Sequence, residues 1–396
     1  MSNPIDTLAI LGGQPAFPEG IAIIRPCMDE IVDEVLPDVE HILRSNMLTN
    51  VNQWVPRFEQ AVEASLGVEH AVAVSTCTSG LILVLRAWGI DDSEVVMPSF
   101  TFSASAHAVD WTGNRPRFAD IDPDTWTVDV DAVRRMVTPE TRAILPVHLF
   151  GHPAPIVQLE ALADELNLKL LFDAAHGLGG TLDGRKIGTF GDAEVFSLSP
   201  TKIITTMEGG LITTSDGDLA EKLRTLRNYG NLPDYTCPMI GLNARMPELN
   251  ARLGIAMMER LDDYVAARNL NAMRLRADLA EVPGITFQRL RTGVLSTWKD
   301  LCFTVDPQEY GLTRDELREA LAAEGAATKT YFDPPVHHLK PYADSPHDGL
   351  ALTEHVAANI IAIPLHNRMT EQERSSLAGI IRHLHERADE VKDKLR

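Results

Sequence analysis

The middle of the chain alternates short apolar runs with longer segments whose apolar residues recur at helical spacing. The runs are continuous rather than alternating, which is typical of strands buried on both faces. They are HAVAVS, EVVMPSF, RPRFADID, RAILPVHLF, LKLLFD, AEVFSLS and GLITTS. In one helical segment between them, IVQLEALADEL, residues Ile156, Leu159, Leu162 and Leu166 share one face. Strands that alternate with helices predict a mostly parallel, seven-stranded sheet between two helical layers, an α/β/α domain.

The pattern changes after about residue 255. A long helical stretch over 248–280 leads into the strand-like segments TFQRLR, DLCFTVDP and AATKTYF, and the chain ends in an amphipathic helix. These features predict a smaller α+β domain over 256–396, with residues 1–40 packed against it. Residues 41–255 are then the large domain.

Composition narrows the class of protein. The chain has 396 residues, of which 44% are hydrophobic, enough for a sizeable buried core. Its net charge of −20 and the lack of a long Lys/Arg run argue against nucleic acid or an anionic membrane as partner. The N-terminal residues lack the basic region of a signal peptide, and no apolar stretch is long enough to span a membrane. We therefore expect a cytoplasmic protein.

The four cysteines are far apart and form no CxxC pair. This spacing predicts neither a zinc site nor a disulfide framework, and it fits a reducing compartment. No metal-binding residues are assigned.

Polar or aromatic side chains follow four of the predicted strands. Residues 75–80, STCTSG, combine hydroxyls with the free N–H groups of a helix start, so they could bind an anion or simply cap the helix. Phe100 and Phe102 end the next strand, where packing in the core is the simpler interpretation. Asp173 closes an apolar strand, where an unpaired carboxylate would be costly, and Lys202 follows the strand after it.

Together these four loops contain the groups that one cofactor requires. Pyridoxal phosphate needs a lysine, an acid at its ring nitrogen, a phosphate site and a ring on which to stack. Asp173 and Lys202 follow successive strands, so both could reach one ligand at the carboxyl edge of the sheet. The sequence therefore predicts a pyridoxal phosphate site.

Several segments resemble the DegT/StrS-type sugar-nucleotide aminotransferases, which have the aspartate-aminotransferase-like fold (fold type I). The segments are VMPSFTFSASAHAV, DAAHGLGGTLDGRKIGTFGDAEVFSLSPTK, GLNARMPELNARLG and IAIPLHNRMT, in the family's order along the chain. Within the family, DAAH and YFDPPVHHLKPY are most similar to enzymes that aminate dTDP-4-keto-6-deoxyhexoses. The resemblance implies transfer of an amino group from L-glutamate, which leaves as 2-oxoglutarate, to such a sugar nucleotide.

The resemblance also implies roles for individual residues. Lys202 corresponds to the Schiff-base lysine and Asp173 to the acid at the pyridine nitrogen. The other implied cofactor contacts are His176 near the phenolic oxygen, Phe102 on the ring, Cys77, Thr78 and Ser197 at the phosphate, and Asn243 at the phosphate in a neighbouring subunit. The implied unit is thus a homodimer with shared active sites. Cys77 and the SLSPTK segment depart from the family pattern, but every required functional group is present.

The segment GLNARMPELNARLG bears on this assembly. Asn243 and Arg245 precede an apolar helical stretch that includes Leu249, Leu253 and Ile255. The stretch could pack in a dimer interface. Alternatively, it packs within its own chain, with Asn243 as a cap near the helix start.

Other functions share part of this pattern. A Rossmann oxidoreductase requires GxGxxG before a helix, and GLGGTLDG at 177–184 has neither the spacing nor the helix. A non-enzymatic cofactor-binding regulator is disfavoured because Lys202 is present. Aminotransferases of 3-keto sugars, of cyclitols such as scyllo-inosose or of amino-benzoate precursors share the same motifs, and they remain open.

Overall fold

The computed structural model describes residues 7–396, so residues 1–6 of the predicted N-terminal segment lie outside the described chain. The strands are β1 (His70–Val74), β2 (Glu94–Pro98), β3 (Arg115–Ala119), β4 (Thr141–Ile144), β5 (Lys169–Asp173), β6 (Thr181–Leu182), β7 (Arg185–Lys186), β8 (Ala193–Ser197), β9 (Gly210–Thr214), β10 (Ile285–Phe287), β11 (Val294–Leu295), β12 (Leu301–Val305) and β13 (Ile360–Ile363).

The α-helices of the same residues connect and cover these strands. They are α1 (Val32–Ser45), α2 (Trp54–Leu66), α3 (Cys77–Ala87), α4 (Ser103–Trp111), α5 (Val130–Met136), α6 (Ile156–Leu166), α7 (Gly217–Leu226), α8 (Glu248–Met258), α9 (Leu261–Leu279), α10 (Pro307–Tyr310), α11 (Arg314–Ala323), α12 (Ala351–Asn359), α13 (Glu371–Glu386) and α14 (Ala388–Leu395).

The large sheet contains the seven strands that the apolar runs predicted, in the order β1-β9-β8-β5-β4-β2-β3. β9 is antiparallel to both of its neighbours, β1 and β8, and the other pairs are parallel. The mostly parallel sheet is thus confirmed. Because six strands run the same way, their carboxyl ends lie along one edge, and the loops that follow them meet there.

Each long strand of this sheet supplies side chains to two separate cores. On β5, Leu171 packs into one apolar cluster and Phe172 into another, and on β8, Val195 and Phe196 divide in the same way. Successive side chains of a strand point to opposite faces, so a helical layer must cover each face. This is the predicted three-layer α/β/α arrangement.

The second sheet is small and antiparallel, with the order β10-β12-β13. It packs with α11, α13 and α14, which gives the α+β character predicted for this part of the chain. The expectation of a strand in AATKTYF is wrong. Ala326 and Lys329 form only isolated bridges, because the chain then turns away from the sheet toward a cavity lined by Tyr331 and Phe332. Conversely, IAIPLHNRMT contributes β13.

The helical stretch predicted over 248–280 is two helices, α8 and α9. The guanidinium of Arg260 donates to the Ala256 carbonyl at 2.7 Å and to Glu34 at 3.0 Å, which ends the first helix. The predicted terminal helix is likewise divided, at Arg387, into α13 and α14.

The predicted domain limits at residues 40 and 255 remain a prediction. The segments that contain these limits contribute apolar side chains to the cores of both sheets. In the N-terminal segment, Phe17 joins the core of the small sheet, whereas Val35 joins the core of the large one. Along α9, Leu261 packs in the large core and Leu275 in the small core, so this helix links the two.

The glycine cluster at 177–184 forms a hairpin rather than a dinucleotide-binding turn. Strands β6 and β7 pair across Asp183 and Gly184, which both have positive φ, as a two-residue hairpin turn requires. All four cysteines are free, as expected. No helix within residues 7–396 combines the length and the apolar character needed to cross a bilayer.

Candidate active site

A cavity of about 400 Å³ lies at the carboxyl edge of the large sheet, within the usual size of small-molecule sites. The loops after β1, β2, β5 and β8 form most of its wall, and segments 299–300 and 331–332 complete it. It brings together seven of the eight predicted site residues: Cys77, Thr78, Phe102, Asp173, His176, Ser197 and Lys202. Asn243 is not among the residues that line it.

The loop after β1 both caps helix α3 and leaves donors free. Thr76 is the N-cap, since its hydroxyl accepts from the Ser79 N–H at 3.0 Å and the Ser79 hydroxyl accepts from the Thr76 N–H at 3.1 Å. The first N–H groups inside a helix have no intrahelical partner, so those of Cys77 and Thr78 remain available. The two interpretations of this segment are therefore compatible: a capped helix start that still presents donors for an anion.

Asp173 ends β5 in the cavity wall, and its side chain is held on two sides. The Ser105 hydroxyl donates to Oδ2 at 2.6 Å, and the Ala175 N–H donates to Oδ1 at 3.0 Å. Asp173 is only 5% exposed. Two donors fix the orientation of the carboxylate, but within residues 7–396 no cation forms a salt bridge with it. A cationic ligand in the cavity would meet that need. The sequence did not predict that Ser105 would orient Asp173, because only the aromatic residues of PSFTFSAS were considered as site residues.

Lys202 lies in the same cavity, in the loop after β8. Burial lowers the pKa of its ammonium from the ordinary 10.5 to about 8, and the positive charge of Lys299 acts in the same direction. A lysine with a pKa near 8 is partly unprotonated at neutral pH. It can then act as a nucleophile or carry a proton, which an ordinary surface lysine does far less readily.

His176 lines the cavity beside these two groups. Its Nδ1 accepts the Phe150 N–H at 3.2 Å, and burial together with nearby lysines lowers its pKa well below the usual value. The imidazole is therefore neutral, with its proton on Nε2. In that state it can donate a hydrogen bond to an oxygen without adding charge. Burial also raises the pKa of the Cys77 thiol well above its ordinary value, so this cysteine stays protonated.

The two phenylalanines after β2 have different environments. Phe100 is 1% exposed and makes edge-on contacts with Phe150 and Phe332, so the core interpretation is right for it. Phe102 is 61% exposed and lines the cavity. Its face is thus available to a planar ligand.

A buried ion pair in the cavity was not foreseen. The Lys299 ammonium lies 2.8 and 2.9 Å from the two carboxylate oxygens of Asp300, and both side chains are almost fully buried. Lys299 also lies over the ring of Tyr331, at 5.3 Å. The sequence did contain a signal for this pair, since Lys299 and Asp300 directly precede the apolar run LCFTV. Two charges at the start of a buried strand are costly to desolvate and therefore suggest that they pair with each other.

A second buried pair lies behind the site. His148 Nε2 and Glu194 Oε1 are 3.8 Å apart, and both side chains are fully buried. Burial raises the pKa of Glu194 well above its usual range and lowers that of His148 to about 3, so both groups are neutral. The His148 N–H donates to the Asp173 carbonyl at 3.0 Å, which connects this pair to the site through the backbone.

Asn243 is exposed and is not among the residues that line the cavity, and its backbone forms an isolated bridge with Asn228. Its side-chain oxygen accepts from Arg245 at 3.1 Å. It does not cap α8, since Pro247 occupies the N-cap position. Within the chain, α8 packs against α1 and α2 and buries Leu253, whereas Leu249 and Ile255 are only partly buried. The packing of this stretch in a dimer interface stays a prediction.

Known proteins resemble this chain over most of its length. The model of the DegT/DnrJ/EryC1/StrS aminotransferase family matches residues 29–382. The chain is 36% identical to GDP-perosamine synthase of Caulobacter vibrioides, over 82% of this chain and 88% of that protein. It is 35% identical to dTDP-3-amino-3,4,6-trideoxy-alpha-D-glucose transaminase of Streptomyces venezuelae, over 84% and 88%.

A solved structure gives the same result at the level of the fold. DesI, determined in the presence of its TDP-sugar product, superposes with a TM-score of 0.90 and 37% identity over 98% of this chain and 99% of DesI. The predicted fold and resemblance are thereby confirmed. From its sequence and its fold together, this chain belongs to the DegT/DnrJ/EryC1/StrS aminotransferase family.

Proposed function

We propose that this family member uses pyridoxal phosphate to move an amino group from L-glutamate to a keto-sugar nucleotide. Solved structures of the family hold pyridoxal or pyridoxamine phosphate, in agreement with the predicted cofactor. The observation that carries the proposal is the convergence of Lys202, Asp173 and the N-terminus of α3 on one cavity. When bound, the cofactor supplies a carbon that takes up the amino group and a ring that accepts electrons.

The cofactor phosphate belongs at the start of α3 in this proposal. The free N–H groups of Cys77 and Thr78, the Thr78 hydroxyl and the helix dipole all favour a dianion there. Ser197, at the end of β8, contributes a further hydroxyl to the cavity. Phe102 stacks on the ring, and neutral His176 donates to the ring oxygen.

Asp173 and Lys202 have different roles in the reaction. The Asp173 carboxylate, oriented by Ser105, holds a proton on the ring nitrogen, because the ion pair is favoured in a buried site. Lys202, with a pKa of about 8, takes a proton from the donor and returns one to the acceptor. Lys299, Asp300 and Tyr331 line the remaining space, where the two substrates alternate.

The proposed acceptor is dTDP-4-keto-6-deoxyglucose, which would give the 4-amino-4,6-dideoxy sugar. The sequence resemblance supports it, as does the likeness to DesI, which was solved with a TDP-sugar product. A 3-keto sugar is the second candidate, because a relative of comparable identity is named for a 3-amino product.

The test incubates the protein with L-glutamate and a panel of 4-keto and 3-keto sugar nucleotides, followed by mass spectrometry. The expected product has exchanged one carbonyl oxygen for an amino group, and Lys202→Ala forms none. The loss of glutamate without any aminated sugar would contradict the proposed acceptor class. If glutamate does not react at all, the aminotransferase proposal itself fails.

We also propose a homodimer in which Asn243 reaches the phosphate in the neighbouring site. Support comes from the loop over 229–242, whose ends are joined by the Tyr229 N–H donating to the Leu242 carbonyl at 2.9 Å. This loop exposes large apolar side chains beside Asn243, with Tyr235 at 87% and Ile240 at 79% exposure. Such exposed apolar surface is typical of a protein interface, and a second copy with two-fold symmetry would cover it.

Complementation tests the shared site. Lys202→Ala and Asn243→Ala are each expected to have low activity as pure proteins. In a mixed dimer one site carries both changes and the other carries neither, so subunit exchange should restore about half of the activity per dimer. If exchange is demonstrated and activity does not return, Asn243 does not act in trans.

A further inference from the structure

A cluster of metal-ligating side chains lies outside the active-site cavity. His337 and His338 follow the cavity-lining residues Tyr331 and Phe332 along the chain, and Glu354 lies in the first turn of α12. One ligand atom from each of His337, His338 and Glu354 lies within 4.8 Å of the other two. We propose that these three residues form a binding site for one divalent transition-metal ion, with Zn²⁺ as the best-suited species.

The two histidine–glutamate distances fit a metal site better than they fit hydrogen bonds of ordinary length. Nε2 of His337 is 3.4 Å from Glu354 Oε1, and Nε2 of His338 is 3.6 Å from the same oxygen. Both distances exceed the usual 2.7–3.2 Å of an N–H···O hydrogen bond. Bonds of about 2.0–2.1 Å to a tetrahedral zinc place neighbouring ligand atoms about 3.3–3.4 Å apart.

The buried histidine is held ready as a ligand. His337 Nδ1 lies 2.7 Å from the Ser99 hydroxyl, which also accepts the His337 backbone N–H at 3.0 Å. A metal-binding histidine needs such a partner on its other ring nitrogen to direct Nε2. The contact with Ser99 leaves Nε2 of His337 facing Glu354, as a metal ligand in this cluster must.

The two segments that carry the ligands are anchored separately on the large domain. Asp120, which follows β3, accepts the N–H groups of Leu352 and Thr353 and so fixes the start of α12. The Val336 N–H donates to the Ser99 carbonyl at 3.1 Å and fixes the other segment. The ion therefore needs little rearrangement beyond rotation of the exposed His338 side chain.

The donor set selects the class of metal. Two imidazole nitrogens and one carboxylate oxygen suit Zn²⁺, Co²⁺ or Ni²⁺, whereas Mg²⁺ and Ca²⁺ prefer oxygen ligands alone. A solvent molecule completes the fourth position. The ion would join the segment after Phe332 to α12 and so stabilise one wall of the cavity without entering it.

Calorimetric titration of the untagged, cofactor-loaded protein with ZnCl₂ tests the site. We expect one ion per chain. His338→Gln and Glu354→Gln should each bind zinc at least about 10–100-fold more weakly, because mutation of a residue that only hydrogen-bonds to a metal ligand already lowers metal affinity by that factor. Both residues are about half exposed, so these variants should fold. His355→Gln is the matched control, because His355 is an exposed histidine adjacent to Glu354 on α12 and should leave binding unchanged.

Cobalt gives an independent readout. Co²⁺ bound by His337, His338 and Glu354 should show the intense visible bands of tetrahedral cobalt, and Glu354→Gln should lose them. The absence of a stoichiometric zinc site in the parent protein would overturn the proposal. So would unchanged zinc affinity in Glu354→Gln, or a loss of affinity in His355→Gln.

Discussion

Gly210 packs against the Thr76–Cys77 peptide at the proposed phosphate site, and its replacement by alanine should weaken cofactor binding. It is the first residue of β9 and pairs with Val74 on one side and Ser197 on the other. A Cβ at this position would lie 2.5 Å from the carbonyl carbon of Thr76 and 2.7 Å from the Cys77 nitrogen. The φ of Gly210 is not in the left-handed region, so alanine strains only the packing and not the backbone.

The size of the effect follows from these contacts. A carbon in van der Waals contact needs about 3.5 Å, so the Thr76–Cys77 peptide must move by about 1 Å. Overpacking of this kind costs about 1–3 kcal/mol. Because the displaced peptide begins α3, we expect the dissociation constant for pyridoxal phosphate to rise about 10–100-fold, which is about 1.4–2.7 kcal/mol.

The measurement is a spectral titration of the apoprotein with pyridoxal phosphate, with far-UV circular dichroism to show that the variant is folded. Gly217→Ala is the control. Its Cβ would approach only the end of the His70 side chain, at 3.3 Å, and it begins a helix where alanine is favourable. A folded Gly210→Ala protein that binds the cofactor with the parent affinity would refute this reasoning.

Three further outcomes are expected. The rate at which the apoprotein binds pyridoxal phosphate should rise with pH through about 8, because Lys202 loses its proton there. A rate that stays constant between pH 7 and 9 in stopped-flow measurements would contradict this. The raised pKa of Glu194 means that the folded chain keeps a proton that the unfolded chain loses above about pH 4.5, so stability falls as pH rises. Glu194→Gln should therefore be more stable than the parent protein at pH 8 and similar to it at pH 4 in urea unfolding; parallel pH profiles would disprove the buried-acid argument. Asp300→Asn leaves the Lys299 charge buried without a partner and should lower the free energy of unfolding by about 3–5 kcal/mol. The double change Lys299→Met/Asp300→Leu should lower it less, because no charge then remains buried. A larger loss in the double variant would show that the ion pair itself stabilises the fold.

The large sheet was predictable because its signal is local. Each buried parallel strand must be apolar on both faces, and each crossover needs a helix with one apolar face. Seven continuous runs with helical segments between most of them therefore specify the number and kind of strands. The loops after these strands were also identifiable, and the parallel direction of β1, β2, β5 and β8 is enough to bring Thr78, Phe102, Asp173 and Lys202 to one edge.

The strand boundaries and the small domain were less accessible from sequence. AATKTYF has the composition of a strand, yet the direction of the chain toward the cavity prevents it from pairing along the small sheet. The apolar face of α8 was visible, but periodicity shows only that a face is buried and not what covers it. Here α1 and α2 pack against α8, and the loop over 229–242 exposes further apolar side chains beside Asn243.

The sequence by itself determined the fold class and which polar residues follow which strands. It also identified the lysine and the carboxylate proposed to act on the cofactor, because each of these features lies within a continuous segment. Only the tertiary structure decided which distant residues meet. Ser105 reaches Asp173, Lys299 and Asp300 enter the cavity, and His337 and His338 face Glu354, because the folded path of the chain brings together residues that are far apart in sequence. No local pattern of hydrophobic and polar positions encodes such contacts, since each depends on the path of the whole chain.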